Sequence, residues 1–148
     1  MNELITLAEM EALAALHYRE EVANNVPAVM DTLCEDPHYE FYPMGLRIRG
    51  RAAVEEMYRR MLVAPIARTP LELRPRKRTA GPDGLMSEDE ATIRDDEGKL
   101  HRVAAVSVYS FEGTLMKGER VYLNDAGAAL TMQALGPDFL KLPGVDWI

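Results

Sequence analysis

Three histidines, six tyrosines and a surplus of carboxylates are the side chains of this chain that can move protons at neutral pH. They are densest in residues 38–42, His-Tyr-Glu-Phe-Tyr. Alternate residues of a strand share a face. Thus His38, Glu40 and Tyr42 point one way, and Tyr39 and Phe41 the other. The first face carries an imidazole, a carboxylate and a phenol. Turned into a cavity it is a pocket; turned to solvent it is an ordinary polar strand face. Three histidines and one cysteine have no zinc-like spacing, so no metal is expected. Cys34, near the end of an expected helix, reads as a small buried hydrophobe rather than a nucleophile.

The elements that must position these groups fall in two halves. Residues 3–21 read as a helix, with Leu4, Leu7, Ala8, Glu11, Ala12 and Ala15 near helical spacing. Asn24 or Asn25 can cap a second helix with Pro27 in its first turn, and Asp36-Pro37 ends it. The strand 38–42 and the turn Pro43-Met44-Gly45 follow. Gly50 opens a third helix, 51–62, whose Val54, Met57, Tyr58, Met61 and Leu62 form an apolar stripe. Tyr58 sits inside that stripe and its hydroxyl needs a partner. Pro65 and Pro70 close the helical half.

Beyond residue 72 the pattern is strands and turns: 72–80, 85–94, 99–111 and 119–124, with Gly81-Pro82-Asp83-Gly84 and Asp95-Asp96-Glu97-Gly98 turning the chain. Val103 to Val108 is nearly all apolar, as for a strand covered on both faces. Asp125 starts a short helix to Leu135, stopped by Gly136-Pro137. The tail, with Phe139, Leu140, Leu142, Val145 and Trp147, is too apolar to hang free. A single domain, 1–148, is expected, α+β, with the helices on one face of a curling antiparallel sheet.

The net charge of −7 argues against nucleic-acid and anionic-membrane partners. The basic run Arg74, Arg76, Lys77, Arg78 reads as the solvated side of an edge strand, where Pro75 is tolerated. The single cysteine fits a reducing cytoplasm. No signal-peptide pattern or membrane-length apolar run is seen.

Pro43-Met44-Gly45, Gly50-Arg51-Ala52-Ala53-Val54, Tyr58, Gly118-Glu119-Arg120-Val121-Tyr122-Leu123-Asn124 and Gln133-Ala134-Leu135-Gly136, in this order of elements, resemble the nuclear transport factor 2-like superfamily, in its SnoaL-like and ketosteroid-isomerase-like branch. The resemblance implies a cone-shaped barrel: a strongly curved antiparallel sheet with the N-terminal helices packed on its concave face. Function is not implied, because this fold hosts isomerases, dehydratases, epoxide hydrolases, cyclases and non-catalytic binders. The steroid isomerases carry a catalytic aspartate where this chain has Tyr42, and a second aspartate where it has Ser107. Their first-helix tyrosine corresponds to about His17 or Tyr18, and their third-helix tyrosine to Tyr58. Both aspartates are missing, so that chemistry by its usual residues is not supported.

The same resemblance orients the strands. It implies that His38, Glu40 and Tyr42 face the cone, with Glu90, Thr92, Arg94, His101, Ser107, Tyr109, Phe111 and Glu119. The expected catalytic groups are Glu40, His38, Tyr42 and Glu119. The expected ligand-lining groups are Tyr58, His101, Ser107, Tyr109, Phe111, Met44, Met57 and Met61. The expected activity is cofactor-free acid–base isomerisation, dehydration or cyclisation of an apolar oxygenated molecule such as a steroid, terpenoid or polyketide. The alternative is a non-catalytic ligand-binding or assembly module. Epoxide hydrolysis by an Asp-Arg-Asp set finds only Glu90, Arg94 and Glu119 as substitutes. Ala104, Val106 and Val108 would face outward and suit a homodimer interface.

Overall fold

A computed structural model describes residues 5–63, 72–95 and 97–148. The expected helix start at residue 3, the prolines at 65 and 70, and Asp96 lie outside the described residues.

The first helix, α1 (Leu7–Val22), begins where Thr6 and Glu9 close a capping box: Thr6 Oγ1 accepts from the Glu9 N–H, and the Glu9 carboxylate accepts from the Thr6 N–H at 2.8 Å. Asn25 caps the six-residue α2 (Val26–Asp31), with Pro27 in its first turn. The second helix is shorter than expected. The chain is already extended at Leu33, and β1 (Leu33–Tyr42) runs through Asp36-Pro37 with an irregular register between Leu33 and His38. A hairpin leads to β2 (Leu46–Arg49), and α3 (Arg51–Tyr58) continues as a π-turn over Arg59–Val63. The Arg51 guanidinium donates to the carbonyls of Met30, Leu33 and Cys34, tying the end of α2 to the start of α3.

Four long strands follow: β3 (Glu72–Gly81), β4 (Gly84–Arg94), β5 (Leu100–Glu112) and β6 (Leu115–Leu123). Asn124 caps α4 (Asp125–Leu135), which stops at Gly136, where φ is 77°. The tail packs down as expected, forming a 3₁₀ turn at Phe139–Lys141 and a last strand, β7 (Val145–Trp147), beside β2.

All seven strands form one sheet in the order β3-β4-β5-β6-β1-β2-β7. The α+β fold with a strongly curved sheet under N-terminal helices is as expected, and the sheet is open. One expectation is corrected: the sheet is mixed rather than antiparallel, because β1 lies parallel to β6 while every other pairing is antiparallel. Two hairpin-built sections, β3–β6 and β1–β2, thus meet along one parallel seam. The basic run does lie on the edge strand β3, where Arg76 pairs with Glu90 of β4 at 2.7 Å.

The core lies between the concave face and the helices. Tyr39, Phe41, Leu46 and Ile48 supply it from β1 and β2, Val54 and Met57 from α3, with Leu33, Met116, Leu135 and Phe139. A second cluster, Met10, Ala14 and Leu85, seats α1 on β4. Cys34 is buried.

Candidate functional site

Register decides which side chains meet. Tyr39 and Phe41 of β1 lie opposite Glu119 and Val121 of β6, which lie opposite Tyr109 and Ser107 of β5; those in turn face Leu85 and Ser87 of β4. Cross-strand partners share a face, so this row is the concave one. Tyr39 and Phe41 belong to the buried core.

The direction expected for His38, Glu40 and Tyr42 is therefore reversed. They share the convex face with Arg120 and Tyr122. There they satisfy one another: His38 Nε2 stands 3.1 Å from Glu40 Oε1, Tyr42 donates to Glu40 Oε2 at 3.1 Å, and the Tyr42 ring stacks on Tyr122 at 4.9 Å. Burial favours this choice, because the alternate face, Tyr39 and Phe41, is the more apolar. Glu90, Thr92 and Arg94 are reversed as well. The concave residues of β4 are the odd-numbered ones, Asp89 among them, while Glu90 pairs outside with Arg76 and Arg102.

The other expected residues divide by position. Glu119, Ser107 and Tyr109 do lie together on the concave face. Tyr109 stands 3.2 Å from the Ser87 hydroxyl, and burial, then Glu119, pushes its phenol well up. Phe111 packs with Met10, Ala14 and Leu85, Met57 is core, and Met44 is half-buried against it. His101 faces inward at the strand end, where its Nε2 stands 2.6 Å from Asp95 and steadies the β4–β5 turn. Met61 lines an apolar cleft of about 240 Å³ between α4 and the sheet, with Ile93, Val103, Leu123, Leu130 and Thr131.

The centre of the site is a residue outside the expected set, His17 of α1. It is 1% exposed and reaches four groups. The Thr32 hydroxyl donates to the Val29 carbonyl at 2.6 Å, so toward His17 it can only accept. The proton between Thr32 and His17, 2.6 Å apart, therefore belongs to Nδ1. This fixes the tautomer and leaves Nε2 to face the cone. Nε2 stands 2.9 Å from the Tyr58 hydroxyl, 3.3 Å from Glu21 Oε1 and 3.7 Å from Glu119 Oε1. Tyr58 in turn stands 2.7 Å from the Tyr39 hydroxyl. With neutral His17, Tyr58 donates to Nε2 and Tyr39 donates to Tyr58. Burial, first of all, holds both phenols well above the ordinary tyrosine range, so they stay protonated.

Glu119 is 10% exposed. Burial, then the neighbouring Glu21 charge, pushes its carboxyl up to about 7; His17 and the Ser107 hydroxyl act the other way. For His17 burial acts to lower the pKa, yet Glu21 and Glu119 outweigh it and the imidazole is raised. Glu119 and His17 stand 3.7 Å apart, so the charge of each bears on the titration of the other. The donor atoms of His17, Glu21 and Glu119 all lie within 4.8 Å of one another, close enough to share one small cation.

Sequence signals for this centre did exist. His17 and Glu21 stand four apart, on one face of α1. Glu119 lies in a strand between glycine and arginine, where an inward carboxylate has nothing local to pair with. Their meeting depends on how α1 lies across the sheet, which no spacing within the sequence records.

A strongly curved sheet whose concave face is roofed by helices and carries a buried polar cluster defines a class of cone-shaped α+β domain. The solved structures that resemble this one identify it as the nuclear transport factor 2-like fold. An NTF2-like protein from Burkholderia xenovorans LB400 aligns with a TM-score of 0.68 at 16% identity, covering 86% of this chain and 98% of that one. SalBIII, an epoxide hydrolase/cyclase-like enzyme of pyran ring formation in salinomycin, aligns at 0.67 and 18%, covering 80% and 92%. An LEH-like epoxide hydrolase from M. tuberculosis aligns at 0.66 and 17%, covering 84% and 90%. No family model and no curated protein matches the chain by sequence. At these identities the likeness is one of fold.

Proposed function

We propose that this protein is a small-molecule enzyme of the SnoaL-like kind, which moves a proton without a cofactor. The reaction class is isomerisation, dehydration or cyclisation of an apolar, oxygenated substrate. The single observation that carries this reading is Glu119: a carboxyl nine-tenths buried on the concave face, pushed up to about 7, with His17 Nε2 at 3.7 Å. A general acid or base works best with a pKa near the working pH. Glu119 takes the proton-transfer role, His17 shares its proton, and Thr32, Tyr58 and Tyr39 hold the imidazole in one tautomer. The apolar cleft beside α4 offers the substrate's hydrocarbon part a surface. Two proteins of similar fold are an epoxide hydrolase and a cyclase-like enzyme by description, which agrees with proton-transfer chemistry on oxygenated molecules.

The test is turnover on a panel of steroids, terpenoids and polyketide fragments. Glu119→Gln is expected to lower the rate on any converted member by about 10²- to 10⁴-fold. A variant that turns over as the parent does sinks the role of Glu119.

One observation favours the alternative of a non-catalytic ligand-binding or assembly module. While His17 is neutral, the protons of Tyr58 and Tyr39 are committed within the protein, so neither phenol has one free for a ligand. Binding without conversion across the same panel selects that reading.

The convex face supports a homodimer. Ala104, Val106 and Val108 alternate outward on β5; Val108 lies between Met86 and Arg120, Val106 between Glu88 and the half-exposed Tyr122, and Ala104 beside Glu90. A second copy stacked on this strip would cover its alanine and valines, with Glu88, Glu90 and Arg120 flanking them on the neighbouring strands. Sedimentation is expected to give a dimer at micromolar concentration.

A further inference from the structure

Helix α4 is anchored at two points and spans a gap between them. At Gly127 it presses on the sheet so closely that a Cβ there would lie 3.0 Å from Leu123 and 3.0 Å from Val103. Two turns further, about 12 Å along the axis, Leu135 enters the core. Between these points α4 stands off the sheet, and the gap is the apolar cleft of about 240 Å³. Met61, Ile93, Val103, Leu123, Leu130 and Ala134 line it, each only partly buried. Among the described residues no charged side chain lines this cleft. Other hollows of the surface differ: one holds Arg74 and Glu90, and the groove between α1 and α2 holds Glu20 and Asp31.

Thr131 supplies a second, independent observation. It lines the cleft from α4 and is 7% exposed. A helical threonine commonly bonds back to a carbonyl one turn earlier, as Thr32 does to Val29 at 2.6 Å. The Thr131 hydroxyl makes no hydrogen bond with any of the described residues. Buried polar groups are nearly always paired. A lone hydroxyl in an otherwise apolar wall fits a partner that arrives with a ligand.

We propose that the cleft binds a neutral, apolar ring compound of about ten non-hydrogen atoms, whose single oxygen meets the Thr131 hydroxyl. The size follows from the volume: an apolar cavity of about 150 Å³ holds benzene, and 240 Å³ scales to roughly ten atoms. A hydroxyl both donates and accepts, so a ketone or an alcohol serves. Glu119 lies four residues along β6 from Leu123, about 13 Å at strand rise, out of reach of so small a molecule held at Thr131. The inference therefore stands apart from any role of Glu119. It gives the cleft, treated above only as an apolar surface, a polar contact and a ligand of its own.

1-Tetralone against tetralin, which differ in one carbonyl oxygen, tests this on the full chain at pH 7. Amide resonances of residues 123–134 are expected to move with both, the ketone binding at least about fivefold tighter. Thr131→Val keeps the shape and removes the hydroxyl, and is expected to shrink that margin to about twofold or less. The same variant is expected to keep or raise the urea midpoint, because the hydroxyl has no partner to lose; a lower midpoint would show it satisfied within the chain and overturn the inference. Ala134→Phe fills the cleft and is expected to weaken both compounds at least about tenfold. A ketone margin that survives Thr131→Val sinks the oxygen contact. Resonances that move at Ser107 and Glu119 but not at 130–134 put the ligand at the concave centre, so the cleft inference falls and the proton-transfer reading stands. No movement with tetralone at millimolar concentration also overturns the inference, while Glu119 is judged by turnover alone.

Discussion

Replacing Glu119 by glutamine should make the protein more stable, and only at neutral to alkaline pH. The unfolded chain titrates this carboxyl near 4.5, while the folded protein holds it at about 7. The folded state therefore binds more protons between those values, and stability falls as pH rises through that window. A raised pKa contributes stability that is complete below about pH 4.5 and gone above about pH 7. The difference of about 2.5 pH units corresponds to roughly 3 kcal/mol. Glutamine keeps the shape and never ionises, so the variant escapes the loss. Urea denaturation from pH 4 to 8.5 should show parent and variant alike at the acid end and diverging to about 3 kcal/mol by pH 8, or roughly 10 °C in Tm for a chain this size. His17, also raised, titrates in the same direction and gives both proteins some residual slope. The comparison between the two isolates the carboxyl and its coupling. A stability difference independent of pH would show that Glu119 is ionised and compensated in the folded state, and the proton-sharing account would fail.

Thr32→Val removes the acceptor of the His17 Nδ1–H and should cost about 1–3 kcal/mol, with the ¹⁵N signals of His17 moving away from the Nδ1–H form; unchanged signals would refute the tautomer assignment. Gly118→Ala places a methyl group against the His38 backbone at a residue with φ 137°, and should cost about 3 kcal/mol or more by urea denaturation. Val106→Arg puts a charge in the convex strip and should shift a sedimenting dimer to monomer while leaving the melting of the monomer unit within about 0.5 kcal/mol.

The chain announced most of its elements. The stripe Val54, Met57, Tyr58 and the alternation at 38–42 both correspond to real periodicities, and the turn glycines fall between strands. What the sequence could not fix was handedness of face. The alternation of His38, Glu40 and Tyr42 is real, but alternation alone does not say which face is buried. The structure puts the apolar alternates Tyr39 and Phe41 inside, as burial of aromatic area alone favours. Two short strands, β2 and β7, carried too few residues for a periodic signal. The parallel pairing of β1 with β6 is invisible locally, because parallel neighbours are distant in sequence. The family resemblance marks His17 only as a loose counterpart of a tyrosine, since three of its four partners, Thr32, Tyr58 and Glu119, lie far from it in the chain.

The parallel seam also sets an order of events. Tyr39 lies beside Glu119 although about 80 positions separate them in the chain. Hairpins and helices close early because their loops are short, whereas a contact across that span bears a larger loop-closure cost and forms late. The residues around His17 come from both sides of the seam, so the acidic cluster can be sealed from water only after the two halves have zipped together. Until then Glu21 and Glu119 stay hydrated, and their repulsion is spread through solvent. The buried approach of Glu119 to His17 and Glu21 thus depends on the packing of β1 and α3 that closes the seam.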